Sequence, residues 1–123
     1  MGKFVIKKTN TGFNFNLKAS NGVTIAVSET YESLDACRNG VQSVINNAQV
    51  ANVEDQTVVG FEEQKHPKFE LYKDKAEQFR FRLKARNGEI IAVGEAYTTK
   101  ANCKNGINSI MKNVVDAKIV EEL

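Results

Sequence analysis

The chain has 123 residues, of which 41% are hydrophobic and 26% charged, with one proline and no tryptophan. This composition is typical of a globular protein, and the length suits one domain or two small units that share a core. The net charge of +2 is too small to indicate a nucleic-acid or membrane partner by itself. No apolar run approaches the ~20 residues of a membrane span, and the first residues lack the features of a signal peptide. We therefore expect a cytoplasmic protein with no membrane partner.

The first half of the chain predicts a compact α+β unit. In chain order its predicted elements are strands at 3–8, 13–18 and 23–28, a helix at about 34–48 and a strand at 50–53. The second strand alternates strictly between apolar and polar residues and is followed by Asn21-Gly22, a strong hairpin signal. Ser33 is a suitable helix N-cap, and apolar residues then recur every three or four positions.

The second half repeats this order. It predicts strands at 68–73, 79–84 and 89–94, a helix after the N-cap Thr99, and a strand at 117–120. The segment from Phe79 to Gly88 is a near copy of the one that begins at Phe13, 66 residues earlier. A tandem duplication is the interpretation. We predict one domain over 1–123 with repeats 1–55 and 66–123, and a connector, 56–65, that packs against the rest because it carries Val58, Val59 and Phe61.

Each unit of roughly 60 residues is marginal alone and leaves sheet edges open. Two copies related by a pseudo-two-fold axis extend one sheet and share one core. Gly40 and Gly106 lie inside the predicted helices, where glycine costs about 1 kcal/mol relative to alanine. Their recurrence indicates that a strand or the other helix approaches there.

The register of the second hairpin has two solutions. A two-residue Asn-Gly loop pairs Leu83 with Ala92, whereas a three-residue loop with a glycine bulge aligns Leu83 with Ile91 and Phe81 with Val93. We prefer the second register because it buries more apolar area.

Three motifs recur in both halves. They are Phe-x-Phe-x-Leu-Lys-Ala-x-Asn-Gly from Phe13 and Phe79, Ile-Ala-Val-x-Glu-x-Tyr from Ile25 and Ile91, and Cys-x-Asn-Gly from Cys37 and Cys103. Together they resemble the YegP-like family, small bacterial proteins built on a domain of unknown function. The resemblance implies an α+β fold in which two tandem β3-α-β repeats form one antiparallel sheet, with helices on one face and the C-terminal strands exchanged. It also implies that single-repeat relatives assemble as homodimers, and it brings no activity.

The sequence offers no catalytic or metal site. His66 is the only histidine, next to Pro67 at a unit boundary, and is expected to be an exposed structural residue. Cys37 and Cys103 lie within the apolar stripes of their helices, so we expect two reduced core thiols. One histidine and two separate cysteines cannot supply a usual zinc set. We therefore predict no enzyme, no metal and no cofactor.

Glu29 and Glu95 each precede a tyrosine, Tyr31 and Tyr97, by two residues. A symmetric carboxylate–phenol site is one interpretation. The other, which we prefer, is that each tyrosine packs over the helix start while the glutamate is solvated.

The candidate binding residues are basic. Arg80, Arg82, Lys84 and Arg86 alternate with apolar residues and so point away from the core. The same sheet face is expected to carry Lys68 and, from the first unit, Lys3, Lys7 and Lys18. Such a face could hold the phosphates of a nucleic acid or another polyanion. Alternatively it is a solvated surface whose cations pair with Glu70 and Glu89, in a monomeric structural or stress-related protein-interaction module without nucleic-acid affinity.

Overall fold

The computed structural model describes residues 2–123, and Met1, with which the first predicted repeat begins, lies outside the described residues. The elements are β1 (Lys3–Lys8), β2 (Phe13–Lys18), β3 (Thr24–Val27), α1 (Leu34–Ala48), β4 (Asn52–Asp55), β5 (Lys68–Lys73), β6 (Phe79–Lys84), β7 (Ile90–Val93), α2 (Lys100–Asn113) and β8 (Lys118–Glu122). Ser33 and Thr99 are the N-caps, as predicted, and each accepts a backbone hydrogen bond three residues on. No helix within 2–123 is long and apolar enough to cross a membrane.

The eight strands form one sheet in the order β4-β5-β6-β7-β3-β2-β1-β8. The fourth strand of each repeat therefore lies beside the first strand of the other repeat, which confirms the α+β fold with exchanged strands. The sheet is mixed and not wholly antiparallel, because β4 runs parallel to β5 and β8 runs parallel to β1. Both strands arrive after a helix and join the other repeat, so no hairpin forces them to run antiparallel.

The pseudo-two-fold axis passes between β3 and β7. At this junction Val27 pairs with Val93, its own counterpart 66 residues later, and this is the one residue pair that joins the two strands in the described chain. The β1–β8 ladder has five residue pairs and the β4–β5 ladder has four. Backbone pairing between the repeats thus comes mainly from the exchanged strands.

Both helices pack on the same sheet face, which forms the core. Phe4 meets Phe15 edge-to-face with ring centroids 5.7 Å apart, and Phe69 meets Phe81 in the same way at 6.0 Å. All four rings are buried. Cys37 and Cys103 are also buried and unbridged, as predicted, and burial raises the pKa of both thiols, that of Cys103 to about 11.

The preferred hairpin register was wrong. Leu83 lies opposite Ala92, and a bulge then places Lys84 opposite Ile90, so that Ile91 is the extra residue. Ile91 and Ala92 are both buried in the core. The bulge thus turns two consecutive residues toward the core, which a strictly alternating strand cannot do. The hairpin of the first repeat has a bulge at the same place.

The close approach to the helix glycines comes from tyrosine side chains and not from a strand or the other helix. A methyl group on Gly40 would clash with the hydroxyl of Tyr31, and one on Gly106 would clash with that of Tyr97. Each tyrosine ring also stacks on a core phenylalanine, with centroids 6.3 Å apart in both repeats. The tyrosines therefore pack over their helices, and Glu29 and Glu95 are exposed.

Candidate anion-binding sheet face

The sheet face opposite the helices, called the outer face below, carries the predicted basic residues of β6. Arg80, Arg82 and Lys84 alternate with the buried Phe81 and Leu83 and point away from the core. Their side chains are between about a quarter and a third exposed. Their outward direction follows from the alternation of side chains along a strand.

These cations have internal counter-ions. Arg82 Nε donates to Glu70 Oε1 at 2.6 Å, and Lys84 Nζ lies 3.3 Å from the same oxygen. The Arg82 guanidinium also lies over the ring of Tyr72, 4.6 Å from its centroid. Arg80 Nη1 is 3.9 Å from Asp74 Oδ2. Much of the positive charge of this row is thus neutralised within the second repeat.

Lys68 is not on the surface. Its side chain is 4% exposed, and its Nζ lies 2.8 Å from Glu54 Oε1 and 3.4 Å from Glu70 Oε2. Burial alone lowers the pKa of Lys68, but its hydrogen bonds to these two carboxylates raise the pKa overall. Lys68 therefore stays charged and enclosed, and it is not available to an external phosphate.

The connector covers this part of the outer face. The backbone N–H of Gln64 and the side-chain amide of Gln56 donate to the two oxygens of Glu54, at 2.7 and 2.6 Å. Burial alone raises the pKa of Glu54, but these bonds and that from Lys68 lower it to about 2. The connector is docked through polar groups, because its apolar residues Val58, Val59 and Phe61 are all exposed.

Arg86 does not join the row. It lies beyond the end of β6, in the hairpin turn, beside a cleft of about 480 Å³ between that turn and α1. Within this cleft Asn47 Nδ2 donates to the carbonyl oxygen of Ser43, which fixes the orientation of the amide. Asn47 Oδ1 is buried and has no hydrogen-bond partner among the described residues.

The equivalent amide oxygen in the other half of the molecule has a hydrogen-bond donor. Asn113 occupies the equivalent position on α2, and its Oδ1 accepts a hydrogen bond from the hydroxyl of Ser20 at 3.4 Å. Ser20 corresponds to Arg86 in the duplicated hairpins. The unsatisfied oxygen thus follows from one residue difference between the repeats.

A lysine row lies on the outer face where the first repeat meets the exchanged strand β8. Lys3 lies opposite Lys18 on β2 and opposite Lys118 on β8, so the three residues are neighbours across three strands. In the described chain none of the three lies within the 4.0 Å salt-bridge distance of a carboxylate. Lys118 was missed from the sequence because only the strand exchange brings it beside Lys3. The sequence signal that could have identified Lys118 is its place at the start of the last strand, which the family resemblance implies is exchanged.

The remaining candidates for chemistry are His66, Tyr31 and Tyr97. His66 is exposed, as predicted, and no cluster of three potential metal ligands exists between residues 2 and 123. Burial raises the pKa of both Tyr31 and Tyr97, so neither phenol is activated as a base.

A family model described as a domain of unknown function, DUF1508, matches residues 9–55 and 74–121. The chain belongs to this family. The UPF0339 protein YegP of Yersinia pestis is 37% identical over 114 residues, 92% of this chain and 88% of its own length. The solution NMR structure of a protein of unknown function, yegP of E. coli, is 30% identical and superposes with a TM-score of 0.79, covering 98% of this chain and 92% of that one.

A UPF0339 protein of Treponema denticola has the length of a single repeat. It is 67% identical over 54 residues, which are 44% of this chain and 93% of that protein. The names of these relatives assign no activity or ligand. The function of this chain must therefore be derived from its own side chains.

Proposed function

We propose that the chain is a cytoplasmic, non-enzymatic binding protein, a single-domain monomer, that binds nucleic acid or another polyanion through its outer face. The observation that carries this proposal is the charge of the accessible side chains there. The accessible cations of that face are Lys3, Lys7 and Lys18 in the first repeat, Lys118 in the exchanged strand β8 beside them, and Arg80, Arg82 and Lys84 in β6. Cations placed along adjacent strands suit the repeated phosphates of a nucleic-acid backbone.

The carboxylates on this face do not balance these charges. Glu54 and Glu70 are both buried and are shared among Lys68, Arg82 and Lys84, and Asp74 pairs with Arg80 alone among the described residues. Glu122, opposite Lys7 at the far end of β8, is an exposed carboxylate near the lysines. An approaching polyanion therefore meets a net positive surface although the whole chain has a charge of only +2.

The test is a titration of a labelled single-stranded oligonucleotide followed by fluorescence anisotropy, repeated with duplex DNA. We expect binding at low salt, with a logarithm of affinity that falls linearly with the logarithm of salt concentration. The variant Lys7→Gln/Arg80→Gln removes one outer-face cation from each repeat and should weaken binding.

The matched control is Lys104→Gln/Lys112→Gln. It removes the same charge from two exposed residues of α2, on the opposite side of the sheet. This variant should bind as the native chain does. Absence of binding at low salt, or equal weakening by both variants, would refute binding through the outer face.

A protein-interaction module is the second candidate. It is favoured by the connector, where Val59 is fully exposed and Phe61 is 41% exposed. Apolar side chains grouped on a docked segment are a common feature of protein contact sites. This function requires no response to the oligonucleotide, so the same titration separates the two candidates.

A further inference from the structure

We propose that a discrete binding site for a phosphate group lies where the first repeat meets the exchanged strand β8, formed by Lys18, Lys3 and Lys118. This inference rests on the proposed polyanion-binding function and names the residues that should contact the polyanion most strongly. It uses the lysine row and not the arginine row of the second repeat.

The lysine row places like charges directly opposite one another. Lys3 is flanked by Lys18 in the antiparallel ladder and by Lys118 in the parallel ladder. Neighbouring strands are about 4.8 Å apart, and like charges at this distance destabilise a sheet. Glu122 is four residues from Lys118 along β8, about 13 Å at the rise of a strand. The row is a local charge excess that an anion would relieve.

The second repeat keeps two of the three lysines and neutralises their charge, and Asn52 occupies the position of Lys118. The counterparts of Lys18 and Lys3 are Lys84 and Lys68, which lie opposite each other in β6 and β5. Glu70 contacts both of these lysines, and Glu54 contacts Lys68. Carboxylate oxygens therefore occupy the space beside the lysines in this half.

The first repeat has no such carboxylates. The counterparts of Glu54 and Glu70 are Val120 and Val5, which lie opposite each other in β8 and β1. Val5 is buried, so the position next to the row is apolar and offers no counter-ion. Two of the three lysines therefore occur in both repeats, but their counter-ions occur in only one, and the third lysine, Lys118, replaces an asparagine.

The space beside the row also differs between the repeats. In the second repeat the end of the connector and the adjacent His66 occupy this space. Asn52 Nδ2 donates to the carbonyl of Lys65, and the His66 ring lies 3.7 Å from the Cβ position of Gly88. At Gly22, the counterpart of Gly88, the Cβ position has no described atom within 4 Å apart from those of Gly22 and its two chain neighbours. A cavity of about 330 Å³ opens here, and its lining residues are Gly2, Lys3, Ala19, Ser20, Gly22 and Lys118.

The chemistry of the row favours phosphate over a carboxylate ligand. Three ammonium groups supply several hydrogen-bond donors and three positive charges, which one carboxylate would only partly neutralise. A phosphate ester carries more negative charge and more acceptor oxygens. The same chemistry is offered by free phosphate compounds and by a nucleic-acid backbone, so the experiment includes both.

The experiment records amide NMR spectra of the full chain during titrations with inorganic phosphate, tripolyphosphate and a single-stranded oligonucleotide. We expect shifts centred on Lys3, Lys18 and Lys118 with all three probes. In the variant Lys3→Gln/Lys118→Gln the tripolyphosphate shifts should be lost. Its oligonucleotide affinity should fall roughly tenfold with a salt slope shallower by about 1.4, since each contact to a single strand contributes about 0.7.

The control is the off-row variant Lys7→Gln/Arg80→Gln, which should keep the tripolyphosphate shifts. The row variant should also melt at a higher temperature than the native chain because it relieves repulsion, which shows that lost binding is not lost folding. If both variants weaken oligonucleotide binding equally, the site is wrong while the proposed function stands. If none of the three probes shifts the amide signal of any outer-face residue, both the phosphate site and the proposed function are wrong.

Discussion

Glu54 of the first repeat and Lys68 of the second form a buried ion pair, with Nζ 2.8 Å from Oε1 and the two side chains 1% and 4% exposed. This pair attaches the exchanged strand β4 to the second repeat. At the equivalent crossing Val120 lies opposite Val5, so an apolar pair occupies the positions of Glu54 and Glu70. The two crossings of one pseudo-symmetric fold thus use different chemistry, and the proposed phosphate site lies at the crossing that lacks these buried carboxylates.

Removal of Glu54 should destabilise the fold strongly. The change Glu54→Ala leaves Lys68 in a nearly dry site with only Glu70, and it removes the acceptor of the Gln64 backbone N–H. Breaking one partner of a buried pair typically costs about 3–5 kcal/mol, far more than the net stabilisation that the pair provides. Urea denaturation followed by circular dichroism measures this loss.

The control is Glu121→Ala in the other exchanged strand. Glu121 pairs with Arg38 at 2.7 Å, but both side chains are about a third to a half exposed. Its removal should lower the free energy of unfolding much less than removal of Glu54 does, because solvent screens an exposed ion pair. Equal losses for the two variants would show that the Glu54 cluster is not the stronger attachment.

Acid should unfold the protein by protonating Glu54 and Glu70, the two buried carboxylates that contact Lys68. Hydrogen bonds lower the pKa of Glu54 from its usual 4.5 to about 2, and those from Arg82 and Lys84 lower the pKa of Glu70 against the opposing effect of burial. A carboxylate with a lowered folded-state pKa stabilises the fold above its unfolded pKa, and this stabilisation is lost as pH falls toward the folded value. The urea midpoint should therefore drop between pH 4.5 and pH 2. A Glu54→Gln variant should show a smaller drop, and an unchanged pH profile in that variant would contradict the assignment.

Local patterns predicted most of the fold, and long-range pairing accounts for the errors. The strands from Phe13 and Phe79 were predictable because alternation and the Asn-Gly turns are encoded within a few residues. The bulge at Ile91 was not, because strict alternation gives no reason to bury two adjacent residues. The outward direction of Arg80 and Arg82 followed from alternation alone. The enclosure of Lys68 and the position of Lys118 beside Lys3 depend on which strand lies next to which. Only the family resemblance indicated that exchange.

The change Arg86→Ser should stabilise the second hairpin. In the first hairpin the hydroxyl of Ser20 donates to Asn113 Oδ1, whereas the equivalent oxygen of Asn47 is buried and has no hydrogen-bond partner within residues 2–123. A serine at position 86 recreates that donor, and a restored hydrogen bond to a buried acceptor is worth about 0.5–1.5 kcal/mol. The midpoint of thermal unfolding measures the gain. Arg86→Ala, which cannot donate, is the control, and an equal gain from both variants would exclude the hydrogen bond as the cause.

Separation of the repeats tests whether the exchanged strands hold the fold together. A cut between Gly60 and Phe61 falls in an exposed part of the connector and leaves Gln64 with the second fragment. Alone, fragment 1–60 has no β8 beside β1, and its β4 has no β5. Its sheet edges are then open on both sides, and a unit of this size is marginal. We expect each fragment to be unfolded or dimeric.

The mixed fragments should form a heterodimer in preference to either homodimer. Only the mixture places Glu54 beside Lys68 and Gln64 while Val120 covers Val5. A homodimer of 1–60 would instead set the carboxylate of Glu54 against Val5, without the Gln64 donor, and a homodimer of 61–123 would set Val120 against Glu70. Size-exclusion chromatography and circular dichroism of the separate and mixed fragments measure the outcome. Two folded monomers would show that each repeat is self-sufficient and that strand exchange is not required for stability.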